Sequence, residues 1–135
     1  MKRHQRTICL VGAIVWAGVI FVLSATPGSA FPKRPSFTNV MAHFAAYALL
    51  AALVYGALPR PAGGRRVALT VLAAIGLASL YGVTDEIHQH FTPGRVTDPW
   101  DWVTDTAGGA TGAFAAWLAA RRLARPQTPR ESTVV

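Results

Sequence analysis

The chain has 135 residues, 52% of them hydrophobic and only 14% charged, against roughly 25% charged in soluble domains. Its length suits a single domain, and its apolar residues form long runs without the polar faces that a soluble helix bundle needs. The formal net charge of +7 does not point to nucleic acid, because the basic residues gather at the ends of those runs.

The first run, residues 8–23, follows the basic stretch KRHQR and contains no charged residue. It predicts a spanning helix over 7–25, since roughly 20 residues cross about 30 Å of hydrocarbon. The small residues of ATPGSA, ending at Ala30, resemble a signal-peptide cleavage region. The apolar stretch nevertheless exceeds the roughly 7–15 residues of such leaders, so retention is expected. Cys9 is the only cysteine, which excludes an intramolecular disulfide.

The second predicted helix, 40–58, is interrupted only by His43, and the third, 66–90, opens with residues 67–83 free of charge. The fourth, 101–122, is weaker: residues 102–120 include Asp105, three threonines and three glycines. Such a segment is tolerated in lipid when its polar groups face neighbouring helices or a water-filled cavity. The expected fold is therefore all-α, a polytopic four-helix transmembrane bundle occupying residues 1–120. Residues 121–135 form a basic cytoplasmic tail expected to be disordered.

With a cytoplasmic N-terminus, Lys2, Arg3, Arg6, Arg60, Arg65, Arg66, Arg121, Arg122, Arg125 and Arg130 all lie inside. Lys33, Arg34 and Arg95 lie outside. The positive-inside rule then assigns an N-in, C-in topology in the cell membrane. The connector TDEIHQHFTPGRVTDPWD, residues 84–101, becomes extracytoplasmic and holds four of the six acidic residues.

Near that surface His43 lies about one turn inside lipid, at ~1.5 Å per residue, and Asp105 lies at a similar depth. An ionisable group there is costly and reads as functional by default. His43 and Tyr47, four apart, share a helix face; Glu86, Gln89 and His90 share another if the third helix continues beyond the lipid. Pro93 and Gly94 make a turn that presents Arg95. Asp98 or Asp101 can cap the fourth helix, while Gly108 and Gly112 have the GxxxG spacing of close helix packing. Trp100, Trp102 and Trp117 suit interface belts. No metal site and no cofactor are expected, since His88 and His90, two apart on a helix, do not face each other.

Together HFAAY at 43–47 and EIHQHFTPGRVTDPWDWVTDTAGGATG at 86–112 resemble the VanZ-like membrane proteins. The shared pattern is H-x-x-x-Y, E-x-x-Q, P-G-R and D-x-x-x-N-x-x-G-x-x-x-G. It falls on His43, Tyr47, Glu86, Gln89, Pro93, Gly94, Arg95, Asp101, Gly108 and Gly112, and with the four-span layout covers roughly residues 8–120. Asn39 and Val40 stand where the family usually has an Asp-Lys pair, and Asp105 where it usually has asparagine. The resemblance implies a cell-envelope protein linked to tolerance of teicoplanin-type glycopeptides, with no reaction implied.

The expected site is one polar pocket between the second, third and fourth helices. His43 is its floor, Glu86 and Gln89 one wall, Asp101 and Asp105 the other, and Arg95 the closure. The bilayer is one partner; an envelope lipid headgroup or cell-wall precursor is the other, bound through Tyr47, Gln89, Arg95, Asp101 and Asp105. The competing class is a membrane enzyme with His43 and Glu86 as acid and base; whether the protein is an enzyme stays open. Transport fits less well, because the ionisable groups sit at one surface. Reporter fusions after Arg34 and after Arg95 should both score extracytoplasmic, and a cytoplasmic score at either would sink this topology.

Overall fold

Four long helices and no strand make up the computed structural model, which describes residues 3–30, 36–59 and 64–124. In chain order they are α1 (Arg3–Ala25), α2 (Ser36–Ala57), α3 (Gly64–His90) and α4 (Pro99–Leu123), with a short 3-10 turn at Gly28–Ala30. Lys2, Lys33, Arg34, Arg60 and the tail from residue 125 lie outside the described residues. α1, α3 and α4 contain their predicted spans and α2 stops one residue short of its predicted end, and each adds at most about one turn at either end.

Local chemistry explains the ends. Before α4, Asp98 has an extended backbone, its carboxylate accepts the Trp100 N–H, and Pro99 follows at the first helical position. That is the arrangement expected of an N-cap, where a side-chain oxygen takes up an orphan amide and proline loses none. After α3, the Pro93–Gly94 turn places Gly94 at φ +72°, a backbone region that glycine enters without steric cost. The turn docks on the end of α1. Gly28 N–H donates to the Pro93 carbonyl at 3.1 Å, and a methyl group at Gly28 would overlap the Gly94 carbonyl oxygen.

The helices alternate in direction, so α2 and α4 run parallel, and α1 and α4 flank the α2–α3 pair without a backbone contact between them among the described residues. The closest packing is α2 on α4. A Cβ at Gly108 would overlap the Phe44 carbonyl oxygen, and one at Gly112 the Ala48 carbonyl oxygen. Small residues permit this approach, which gains dispersion contact where lipid supplies no hydrophobic drive between helices. Tyr47, Leu50, Ala51 and Tyr55 of α2, Ala74 and Ala78 of α3, Ala113 of α4 and Ile20 of α1 complete the core.

Hydrogen bonds tie the remaining faces. Trp16 Nε1 donates to the Ala46 carbonyl at 2.8 Å, and Tyr81 Oη to the Ala17 carbonyl at 2.7 Å, joining α1 to both neighbours. Ser79 and Thr106 hydroxyls meet at 2.8 Å, and Trp102 Nε1 reaches Ser79 Oγ at 3.1 Å. Trp102 thus anchors α4 to α3 as well as suiting a belt position.

The outside is apolar. Leu72 and Leu80 are both 62% exposed, and Ile14, Val22 and Phe114 also face outward. A protein in water rarely shows so continuous an apolar surface. Three helices, α1, α2 from Phe37, and α3, are long and apolar enough to cross a membrane. Arg3, Arg6, Arg65, Arg66, Arg121 and Arg122 are exposed at the opposite end of the bundle from Asp85, Glu86, Asp98 and Asp101.

The backbone contact of α2 with α4 generates a mutational expectation. Gly112→Leu should cost at least about 3 kcal/mol, the upper range for overpacking, because backbone rather than a flexible side chain must yield. Gly76→Leu, where nothing lies within 4 Å, serves as the control. Equal melting temperatures for the two variants in detergent would show that this face is not the packing seam.

Candidate functional site

The parallel register that sets Gly108 over Phe44 continues one turn toward the acidic end, where it brings His43 of α2 against α4. His43 Nδ1 donates to Asp105 Oδ1 at 3.0 Å, and its Nε2 lies 3.9 Å from Asp101 Oδ2. Asp105 is fully buried, and its second oxygen, Oδ2, has no hydrogen-bond partner among the described residues. Burial of a carboxylate is tolerated only with a charged or donating partner, and His43 is that partner. Gly82 of α3 makes the room, since a Cβ there would approach Asp105 Oδ2 to 3.2 Å.

Glu86 approaches the same point from α3. One ligand atom from each of His43, Glu86 and Asp105 lies within 4.8 Å of the others. Glu86 Oε2 accepts the Asp98 N–H at 3.2 Å, while its Oε1 is buried without a partner among the described residues. Glu86 therefore also steadies the start of α4, through the residue that caps it.

On the other side of the imidazole lies a cavity of about 500 Å³. Its polar lining is Ser24, Thr38, Asn39, His43, Tyr47, Asp85, Gln89 and Arg95; its apolar lining is Ile20, Leu23, Ala42 and Ala46. Gln89 Nε2 donates to Asp85 Oδ2 at 3.0 Å, and both side chains are at most 5% exposed. Tyr47 is buried with its ring 6.4 Å from that of Tyr81.

Arg95 lies at the rim. Its Nε donates to the Thr26 carbonyl at 3.2 Å and its Nη2 to the Leu23 carbonyl at 2.6 Å. A guanidinium there donates to carbonyls at and just past the end of α1 and complements the negative end of the helix dipole. The Pro93–Gly94 turn, held by Gly28, delivers it.

The expected residues thus converge at one end, in two groups. Tyr47, Gln89 and Arg95 line the cavity with His43, whereas Glu86, Asp101 and Asp105 lie behind the imidazole. The cavity's wall comes from α1, where α4 was expected. The reason is steric: the glycine contact brings α2 and α4 backbone to backbone and leaves no space between them, while α1 packs more loosely. Asp85, which the sequence places at the start of the extracytoplasmic connector, is buried. Its signal was present in the stripe Ala74, Ala78, Gly82, Asp85 and Gln89, which continues the small, inward face of α3. Ser24 carried no such signal, and Asn39 only its place where the family usually has an aspartate.

A helical bundle with three membrane-length helices and, among the described residues, no strand and every acidic residue at one end defines a helical membrane protein. The VanZ/LLP1 family model matches residues 9–120, a stretch that includes every residue of this cluster and cavity, and the chain belongs to that family. No curated protein and no solved structure matches it.

Because His43 is the only hydrogen-bond partner of Asp105 among the described residues, His43→Leu should destabilise by about 3 kcal/mol, the low end for breaking a buried ionic pair. Adding Asp105→Leu should restore much of that loss, since no buried carboxylate is then orphaned. Thermal melts of the two single variants and the double variant test this coupling; strictly additive losses would mean that the pair is not one.

Proposed function

We propose that the chain is a four-span protein of the cell membrane with both termini cytoplasmic, whose outer end holds the anionic headgroup of an envelope lipid or lipid-linked cell-wall precursor. The observation that carries this reading is the two-sided character of the cavity. Its lining divides into apolar residues, Ile20, Leu23, Ala42 and Ala46, and polar ones, among them Asn39, Gln89 and Arg95. An amphiphile has the same division. The arginines at the opposite end of the bundle support the orientation through the positive-inside rule, and α4 completes the fourth crossing with its polar groups turned inward. In this reading residues 1–120 are the membrane domain and residues 121–135 a cytoplasmic tail. Arg95 offers guanidinium donors suited to phosphate or carboxylate, and Tyr47 and Gln89 add hydrogen bonds. The family connection extends the reading to tolerance of teicoplanin-type glycopeptides, which act on the cell envelope.

A second reading is enzymatic. His43 reaches the cavity on one side and is oriented by Asp105 at 3.0 Å on the other, an arrangement that suits a general base held by a carboxylate. Glu86, which does not line the cavity, would act on an envelope lipid only through His43, taking up and returning its proton.

Native mass spectrometry of tag-free protein extracted from membranes tests both. Wild type should retain about one anionic amphiphile per chain. Ala42→Phe, which fills the cavity, should lower retention tenfold or more with little change in melting temperature; Gln89→Leu should lower retention too but also melt earlier, because it leaves the buried Asp85 carboxylate without its donor. Unchanged retention in both variants would overturn the binding reading. For the enzyme, His43→Gln should accumulate an unconverted lipid that wild type releases as product; identical bound species in the two proteins would exclude catalysis by His43.

A further inference from the structure

The outer end gathers Asp85, Glu86, Asp98, Asp101 and Asp105 within 21 positions. Against them, among the described residues, stand His43 and Arg95, and the Arg95 guanidinium is engaged with α1 carbonyls. Like charges so placed repel, and desolvation adds to the cost. Within that cluster one trio has the chemistry of a ligand set. His43, Glu86 and Asp105 come from three different helices, and one ligand atom from each falls within 4.8 Å of the others. Two carboxylate oxygens, Glu86 Oε1 and Asp105 Oδ2, are buried without a hydrogen-bond partner among the described residues, and Asp105 is fully buried. A buried carboxylate oxygen without a donor needs a cation or a proton of its own.

We propose that His43, Glu86 and Asp105 bind a divalent transition-metal ion of the zinc or manganese class. The His43 Nδ1 to Asp105 Oδ1 separation of 3.0 Å is close to the edge of a tetrahedron, ~3.3 Å, around an ion with bonds of ~2.0 Å. A modest turn of the Glu86 side chain brings the third ligand in. One imidazole with two carboxylates selects a transition ion over calcium or magnesium, which prefer all-oxygen shells. The ion takes the place of the Nδ1 proton that His43 donates to Asp105: from an imidazolium that proton goes to solvent, and from a neutral ring it moves to Nε2, beside Asp101. Asp101, 3.9 Å from His43 Nε2, orients the ring's other edge.

Such an ion would pin α2, α3 and α4 together directly behind the cavity wall. It would also neutralise carboxylates that otherwise oppose an anionic headgroup in the cavity. This second consequence rests on the headgroup reading above; the ion site itself does not.

The test uses the tag-free full chain, stripped with chelator and reconstituted in lipid nanodiscs. Zn²⁺ and Mn²⁺ are titrated separately by calorimetry, with elemental analysis after dialysis. Wild type should take up one equivalent of at least one ion and melt at a higher temperature with it. Asp105→Asn and Glu86→Gln, near-isosteric replacements, should each weaken binding tenfold or more, whereas the double variant His88→Ala/His90→Ala should bind as wild type does. No stoichiometric uptake by wild type, uptake undiminished in both carboxylate variants, or uptake lost with His88 and His90 would each overturn the site. Retention of an anionic amphiphile by a protein that binds no ion would remove the metal and leave the headgroup reading standing. Ion binding without such retention would do the reverse.

Discussion

The contact of Gly108 and Gly112 with the α2 backbone sets the register on which the acidic end depends. With no side chain between the two helices, the Phe44 and Ala48 carbonyls lie against the glycines. The helices are parallel, so one turn farther toward their starts the same register lays His43 against Asp105 and Asn39 near Asp101. A shift of a single residue along either helix would rotate Asp105 by about 100°, at 3.6 residues per turn, and detach it from its partner. Burial of a carboxylate and tightness of packing are therefore two aspects of one constraint. Neither could be kept while the other was lost.

His43 has two surroundings at once. One edge of the ring meets carboxylates sealed between α2, α3 and α4; the opposite side lines a cavity walled by α1. A side chain between a closed charged cluster and an open space can pass the state of one to the other, because its protonation and orientation are common to both. Arg95 has a comparable double attachment, through the α3–α4 turn that carries it and the α1 carbonyls it caps. The end of α1 is thereby part of the same assembly, although α1 itself contributes few polar groups.

Much of the fold was legible because lipid simplifies the code. Uninterrupted apolar runs at the length of a bilayer leave few alternatives, and the four helices lie where the runs predict. The glycine pair and the Asp98 cap were readable for similar reasons, each being a local pattern with one physical use. Depth was readable too, and it brought His43 and Asp105 together across 62 positions of sequence. What depth could not supply was azimuth. Whether a residue at a given height faces α1 or α4 depends on which neighbour packs closest, and that follows from the glycine contact, not from hydropathy. Hence the cavity opens beside α1, and Asp85 lies inside it. The role of Arg95 at the end of α1 was hidden for a different reason: a C-terminal cap supplied from another helix's loop leaves no trace in the capped helix.

The polarity of α4 has a consequence for how the protein is made. A helix carrying Asp105, with threonines and glycines besides, has little tendency to leave water for lipid alone, and among the described helices it is the one not apolar enough to qualify as a span. Its carboxylate loses that handicap only beside His43, and its glycines gain contact only on α2. In the four-span reading proposed above, entry into the bilayer and docking on α2 are one event for this segment, and α2 must still be within reach when α4 emerges from the ribosome. Biogenesis is then templated: an early helix waits to receive a late one.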